Sequence, residues 1–104
     1  MNNIPESDWK YMRTLNAELL ETLCKRLNDE ALRTITGDAL SEHERFLRLF
    51  EQVMNNNEII AKCFDDWRRS NLFLKLLCLR DERLLTDEHL SHLTEETQKR
   101  IKQL

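Results

Sequence analysis

His89 and His92 stand three residues apart, with Glu88, Glu95 and Glu96 close by in the chain. Side chains three apart share a helix face, and two imidazoles with a carboxylate are ordinary zinc ligands. A metal site also needs third and fourth ligands in fixed places, and nothing in the sequence brings His43 or Glu44 to this pair. The competing reading is structural, with both histidines on a solvated surface flanking the apolar Leu90 and Leu93. No metal site, catalytic residue or cofactor is assigned on this basis. A metal-binding protein or enzyme using His89, His92 and nearby carboxylates is kept as an alternative function.

Cys24, Cys63 and Cys78 are odd in number and show no C-x-x-C spacing. Each falls on or beside an apolar stripe, where a free thiol behaves as a small hydrophobe. An odd, scattered set argues against a secreted disulfide framework and for a reduced, cytoplasmic setting.

Asp65-Asp66-Trp67-Arg68-Arg69 is the most distinctive local string. Read structurally, Trp67 anchors in the core, Asp65 pairs with Arg69, and Arg68 covers a ring or a carboxylate. Read functionally, Trp67, Arg68 and Arg69 join Leu72, Phe73 and Leu76 as a partner-binding surface. The segments around Asn55-Asn56-Asn57 match a helix-turn-helix in spacing, which keeps a DNA-associated regulator as a further alternative. The second helix of that pair would begin Glu58-Ile59-Ile60 and reach Asp65-Asp66, where phosphate is repelled rather than bound.

Composition bounds what can position these residues. The chain has 104 residues, a formal net charge of −3, and a single glycine and a single proline, Gly37 and Pro5. Sheets reverse direction through glycine and proline turns, so the expectation is an all-α protein. It is read as a small bundle of about four to five helices, one domain over 1–104 with a flexible tail over 1–6. A net negative charge gives nucleic acid or an anionic membrane no global attraction. Apolar runs such as Leu76-Leu77-Cys78-Leu79 are too short to span a bilayer. The first six residues lack the basic and apolar regions of a secretory signal.

Periodicity places the helices. Ser7 or Asp8 is read as the N-cap of helix one, whose stripe runs Trp9, Met12, Leu15, Leu19, Leu20, Leu23 and Leu27. The phase then slips, since Ala31, Leu32 and Ile35 lie off the stripe. Either Asn28-Asp29 kinks the helix, or an unbroken helix of about 42 Å projects beyond its own bundle. Gly37 is expected as a left-handed stop. Ser41 with Glu44 forms a capping box for helix two, with Phe46, Leu49, Phe50, Val53 and Met54 on its face. Asn55-Asn56-Asn57 is expected to end it, with Asn57 capping a third helix that carries Ile59, Ile60, Cys63, Phe64 and Trp67 and continues nearly unbroken toward Leu74 and Cys78. Leu72–Leu79 is apolar on every side but that of Lys75, which predicts a central buried helix with Leu74 and Leu77 in the core. Thr86-Asp87 starts a short helix through Leu93. Thr94 caps the last, with Ile101 and Leu104 as its apolar contacts.

Acidic residues recur four positions before basic ones, as in Glu21/Lys25, Asp29/Arg33, Glu44/Arg48, Glu58/Lys62, Asp65/Arg69, Glu95/Lys99 and Glu96/Arg100. The pattern assigns much of the charge to solvated helix surface. What remains is more apolar stripe than one short chain can hide. The leading expectation is therefore a small cytoplasmic protein acting by protein–protein interaction, as an adaptor, regulator or inhibitor. It is read as a homodimer joined through helix one, the Leu72–Leu79 helix, or both.

Overall fold

In the computed structural model, which describes residues 4–104, the chain forms five α-helices: α1 Glu6–Thr36, α2 Glu42–Phe64, α3 Leu72–Asp81, α4 Asp87–Ser91 and α5 Glu95–Gln103. A 3-10 turn, Arg69–Asn71, leads into α3. No strand occurs among the described residues, so the all-α expectation holds. No helix among the described residues is long and apolar enough to cross a membrane.

α1 is one unbroken helix of 31 residues, about 46 Å long at 1.5 Å per residue. The kink expected at Asn28-Asp29 is absent. The phase slip there marks a change of which side is apolar, not a break. α1 begins at Glu6 with Pro5 as its N-cap residue, extended at ψ 145°, whose carbonyl accepts from Asp8 N at 3.0 Å and Trp9 N at 3.1 Å. The expected caps Ser7 and Asp8 lie inside the helix. The tail is corrected too: Met1–Asn3 lie outside the described residues, but Ile4 is fully buried and its carbonyl accepts from Arg69 Nε at 2.8 Å.

Gly37 ends α1 with φ −67° and ψ 144°. This is extended backbone, not the left-handed stop expected. A β-carbon there would meet the Arg33 carbonyl at 3.2 Å, so the glycine serves a close approach. Ser41 and Glu44 make the expected capping box, Ser41 Oγ accepting from Glu44 N at 3.2 Å and Glu44 Oε1 from Ser41 N at 3.3 Å. These bonds hold the Glu44 carboxyl below its ordinary range.

α2 runs straight through Asn55-Asn56-Asn57, so the two helices expected here are one. Asparagine is only a fraction of a kcal/mol poorer than alanine in a helix. Ile59, Ile60 and Cys63 continue to pack beyond it, and that outweighs the propensity loss. The break comes later, at Asp65–Arg68, where near-continuity was expected. Asp66 takes φ 57°, a left-handed state that short polar side chains tolerate. Asn71 pins the loop through Nδ2 to Asp66 O at 2.8 Å and Oδ1 from Arg68 N at 2.9 Å.

The buried core joins Ile4, Met12, Leu19 and Leu23 to Cys63, Leu72, Leu76, Leu79, Leu84, Leu93 and Ile101. α3 is not buried on every side. Leu72, Leu76 and Leu79 face inward and Leu77 is half-buried, but Leu74 is 64% exposed. Only a narrow strip of α3, Leu74 and Asp81, is left uncovered, so the expectation that Leu74 lies in the core is overturned.

Short helices are held by side chains from elsewhere. Each helix end leaves orphan N–H and C=O groups. Asp8, 1% exposed, reaches the start of α5. Its Oδ1 accepts from Thr94 N at 2.9 Å, and its Oδ2 from Thr94 Oγ1 at 2.8 Å and Thr97 Oγ1 at 2.6 Å. The positive end of the helix dipole favours a carboxylate at this place. At C-termini, basic side chains do the converse. Lys75 Nζ donates to Lys62 O at the end of α2, Arg80 donates to Ile101 O near the end of α5, and Arg26 donates to Glu82 O and Arg83 O beyond α3. α3 itself ends in a Schellman motif: Leu84 N to Leu79 O and Arg83 N to Arg80 O, both 2.9 Å, with Arg83 at φ 57°.

Candidate protein-binding face

The buried residues all lie at one end of the molecule. From Cys24 to Lys62, through the second half of α1, the connection and most of α2, no residue is buried. The molecule is correspondingly long, 53 × 25 × 24 Å with a radius of gyration of 16.6 Å, against about 13 Å for a compact domain of this size. A body built from the start of α1, the end of α2 and α3–α5 thus carries an arm, a two-helix hairpin made by the other halves of α1 and α2. This is the projecting alternative of the two expected for helix one.

The seam of the arm is narrow and partly polar. On α1 it uses Cys24, Leu27, Ala31 and Thr34, and on α2 Gln52, Asn56 and Ile60. Thr34 Oγ1 donates to Gln52 Oε1 at 2.8 Å, and Arg45 closes the tip by donating Nε to Gly37 O at 2.8 Å. Seven other large apolar residues of the arm stay about half exposed. Leu32 is 58% exposed and Ile35 52%, while Phe46, Leu47, Phe50, Val53 and Met54 are 47–66% exposed.

The five on α2 share one side of that helix. On α2, Phe46, Phe50 and Val53 follow i, i+4, i+7 spacing, with Leu47 and Met54 one position along, so all five fall within about a third of the helix circumference. Ile35 and Phe46 line one shallow groove across the two helices, which puts Ile35 beside the start of the α2 stripe. Single exposed apolar residues are ordinary, but a contiguous patch of this kind marks an interaction surface.

The residues read as partner-binding in the sequence lie elsewhere. Leu72 and Leu76 are fully buried in the body core, so they offer no surface to a partner. Phe73 is half-buried with the Arg100 guanidinium 4.0 Å above its ring. Trp67 stacks on Phe64 at 6.1 Å and donates Nε1 to Cys63 O at 2.7 Å, which caps the end of α2. Arg69 turns to Ile4 O and to Glu6, 3.7 Å away, instead of Asp65. Arg68 pairs with Asp66, and that hydrogen bond lowers the Asp66 carboxyl.

His89 and His92 are separately engaged. His89 Nδ1 accepts from Thr86 N at 3.0 Å in the cap of α4, and its Nε2 lies 3.9 Å from Glu18. His92 packs on Tyr11 with ring centres 5.0 Å apart. Among the described residues, no three His, Cys, Asp or Glu side chains gather as a metal site. The three cysteines are free thiols, and burial pushes that of Cys63 up to about 11. With α2 continuous, the turn of the suggested helix-turn-helix does not exist. None of the seven i,i+4 pairs closes to an ion pair among the described residues. Lys25 pairs instead with Asp29 at 2.8 Å, and Lys10 with Glu6 at 3.0 Å, a further acid-first pair of the same spacing.

No protein-family model matches the chain, and no curated protein or solved structure shows significant similarity to it.

Proposed function

We propose that this protein acts by binding protein, as a small cytoplasmic adaptor, regulator or inhibitor whose contact surface is the arm. One observation carries the reading: the arm holds seven large apolar side chains about half exposed, yet no buried residue between Cys24 and Lys62. The body has its own core and closed helix ends, so the arm adds little that folding of the body requires. Its apolar side adds surface that water disfavours. The free thiols support a reducing compartment.

A photo-crosslinking amino acid placed at Phe50 on the arm, and in a second protein at the exposed Glu96 on the body, tests this in the native host. The reading expects discrete protein adducts from position 50 and none from position 96. No adduct from the arm, or the same adducts from both positions, contradicts it.

A further inference from the structure

We infer that the arm's occupant is a second copy of this chain, two hairpins packing face to face as a four-helix bundle about a twofold axis. The inference rests on the reading of the arm as a protein-binding surface. Three observations favour a second copy over another partner.

The first is area. Seven large side chains near half exposure leave on the order of several hundred Å² of apolar surface open. A stable interface takes about 800 Å² from each partner, so the arm supplies a large part of that need before any polar rim is counted.

The second is charge. Between Lys25 and Lys62 the arm carries six basic and seven acidic residues. An arm this balanced gives neither an acidic nor a basic partner a net attraction, and two copies of it do not repel.

The third is shape. Phe46, Phe50 and Val53 repeat at the 3.5-residue spacing by which helices of a bundle interlock. The stripe is centred on Phe50, so an axis through that point makes the face complementary to itself. The bulky body sits at one end only of a 53 Å molecule. Two arms can therefore overlap along their length with the bodies at opposite ends, clear of each other.

Light scattering of the purified full chain over a dilution series tests the inference, alongside Phe50→Glu and Leu47→Lys. Both positions are about half exposed, so both variants keep the body core. The wild type is expected at twice the 12.5 kDa of one chain. Each variant is expected to weaken association at least about tenfold, because each would bury an unpaired charge in the apolar contact, with helicity unchanged by circular dichroism. A wild type that stays at 12.5 kDa overturns the second copy, and a dimer that survives both substitutions overturns its placement on the arm. If one variant unfolds, the other carries the test. A monomeric wild type whose arm still gives adducts to a different protein removes the second copy and leaves the binding reading standing. A monomer with no arm adducts removes both.

Discussion

Asp8 shows how much one side chain decides here. A carboxylate 1% exposed faces no cation among the described residues, and its charge is met by three donors at the start of α5. Replacing it with alanine leaves the Thr94 N–H and both threonine hydroxyls without their acceptor. The expected loss is about 2–4 kcal/mol, since hydrogen bonds to charged groups count roughly double and the orphaned groups remain buried. Chemical denaturation of Asp8→Ala checks this, and hydrogen exchange should show α5 freed first. Cys63 makes the opposite point. It is 1% exposed with a thiol raised to about 11, whereas the thiolate is the reactive form. Alkylation of the native protein at pH 8 should modify the half-buried Cys24 and Cys78 while sparing Cys63 until the chain unfolds. Early labelling of Cys63 would place it outside the core.

At the scale of elements, α2 offers a test with a sign. If Asn57 capped a new helix, alanine there would destabilise by about 1 kcal/mol. In a continuous α2, Asn57 is an exposed interior residue, so Asn57→Ala should stabilise by about 0.5 kcal/mol. Equilibrium denaturation distinguishes the two. The same helix shows what could be read from the chain and what could not. The Ser41–Glu44 box and the Thr94 cap were legible because both partners lie three residues apart. The all-α class was legible because glycine and proline are almost missing. Asp8 as the cap of a helix 86 residues away, and Lys75, Arg80 and Arg26 as caps for other helices, were not, since nothing local marks a long-range partner. Phe46, Phe50 and Val53 were legible as a stripe, but a stripe looks the same whether its own chain or another covers it.

Across the whole molecule the division into body and arm predicts two kinds of leucine on one helix. Leu76 is fully buried and Leu74 is 64% exposed. Leu76→Ala should cost about 2–5 kcal/mol, and Leu74→Ala less than about 1 kcal/mol, as surface changes do. Similar losses from both would restore the picture of α3 as a helix surrounded on every side, which its apolar sequence suggested and the size of the body does not permit.

The division itself is tested most directly by hydrogen exchange, residue by residue, on the wild type and on Phe50→Glu. A region without buried residues opens at low free energy unless something covers it. The account predicts that amides of Met12–Leu23 and Leu72–Leu79 exchange slowly and equally in both proteins. Amides of Ala31–Ile35 and Phe46–Met54 should be protected in the wild type and exchange far faster in the variant. Equal protection of body and arm in both proteins would show one cooperative bundle complete within a single chain, and would contradict the account.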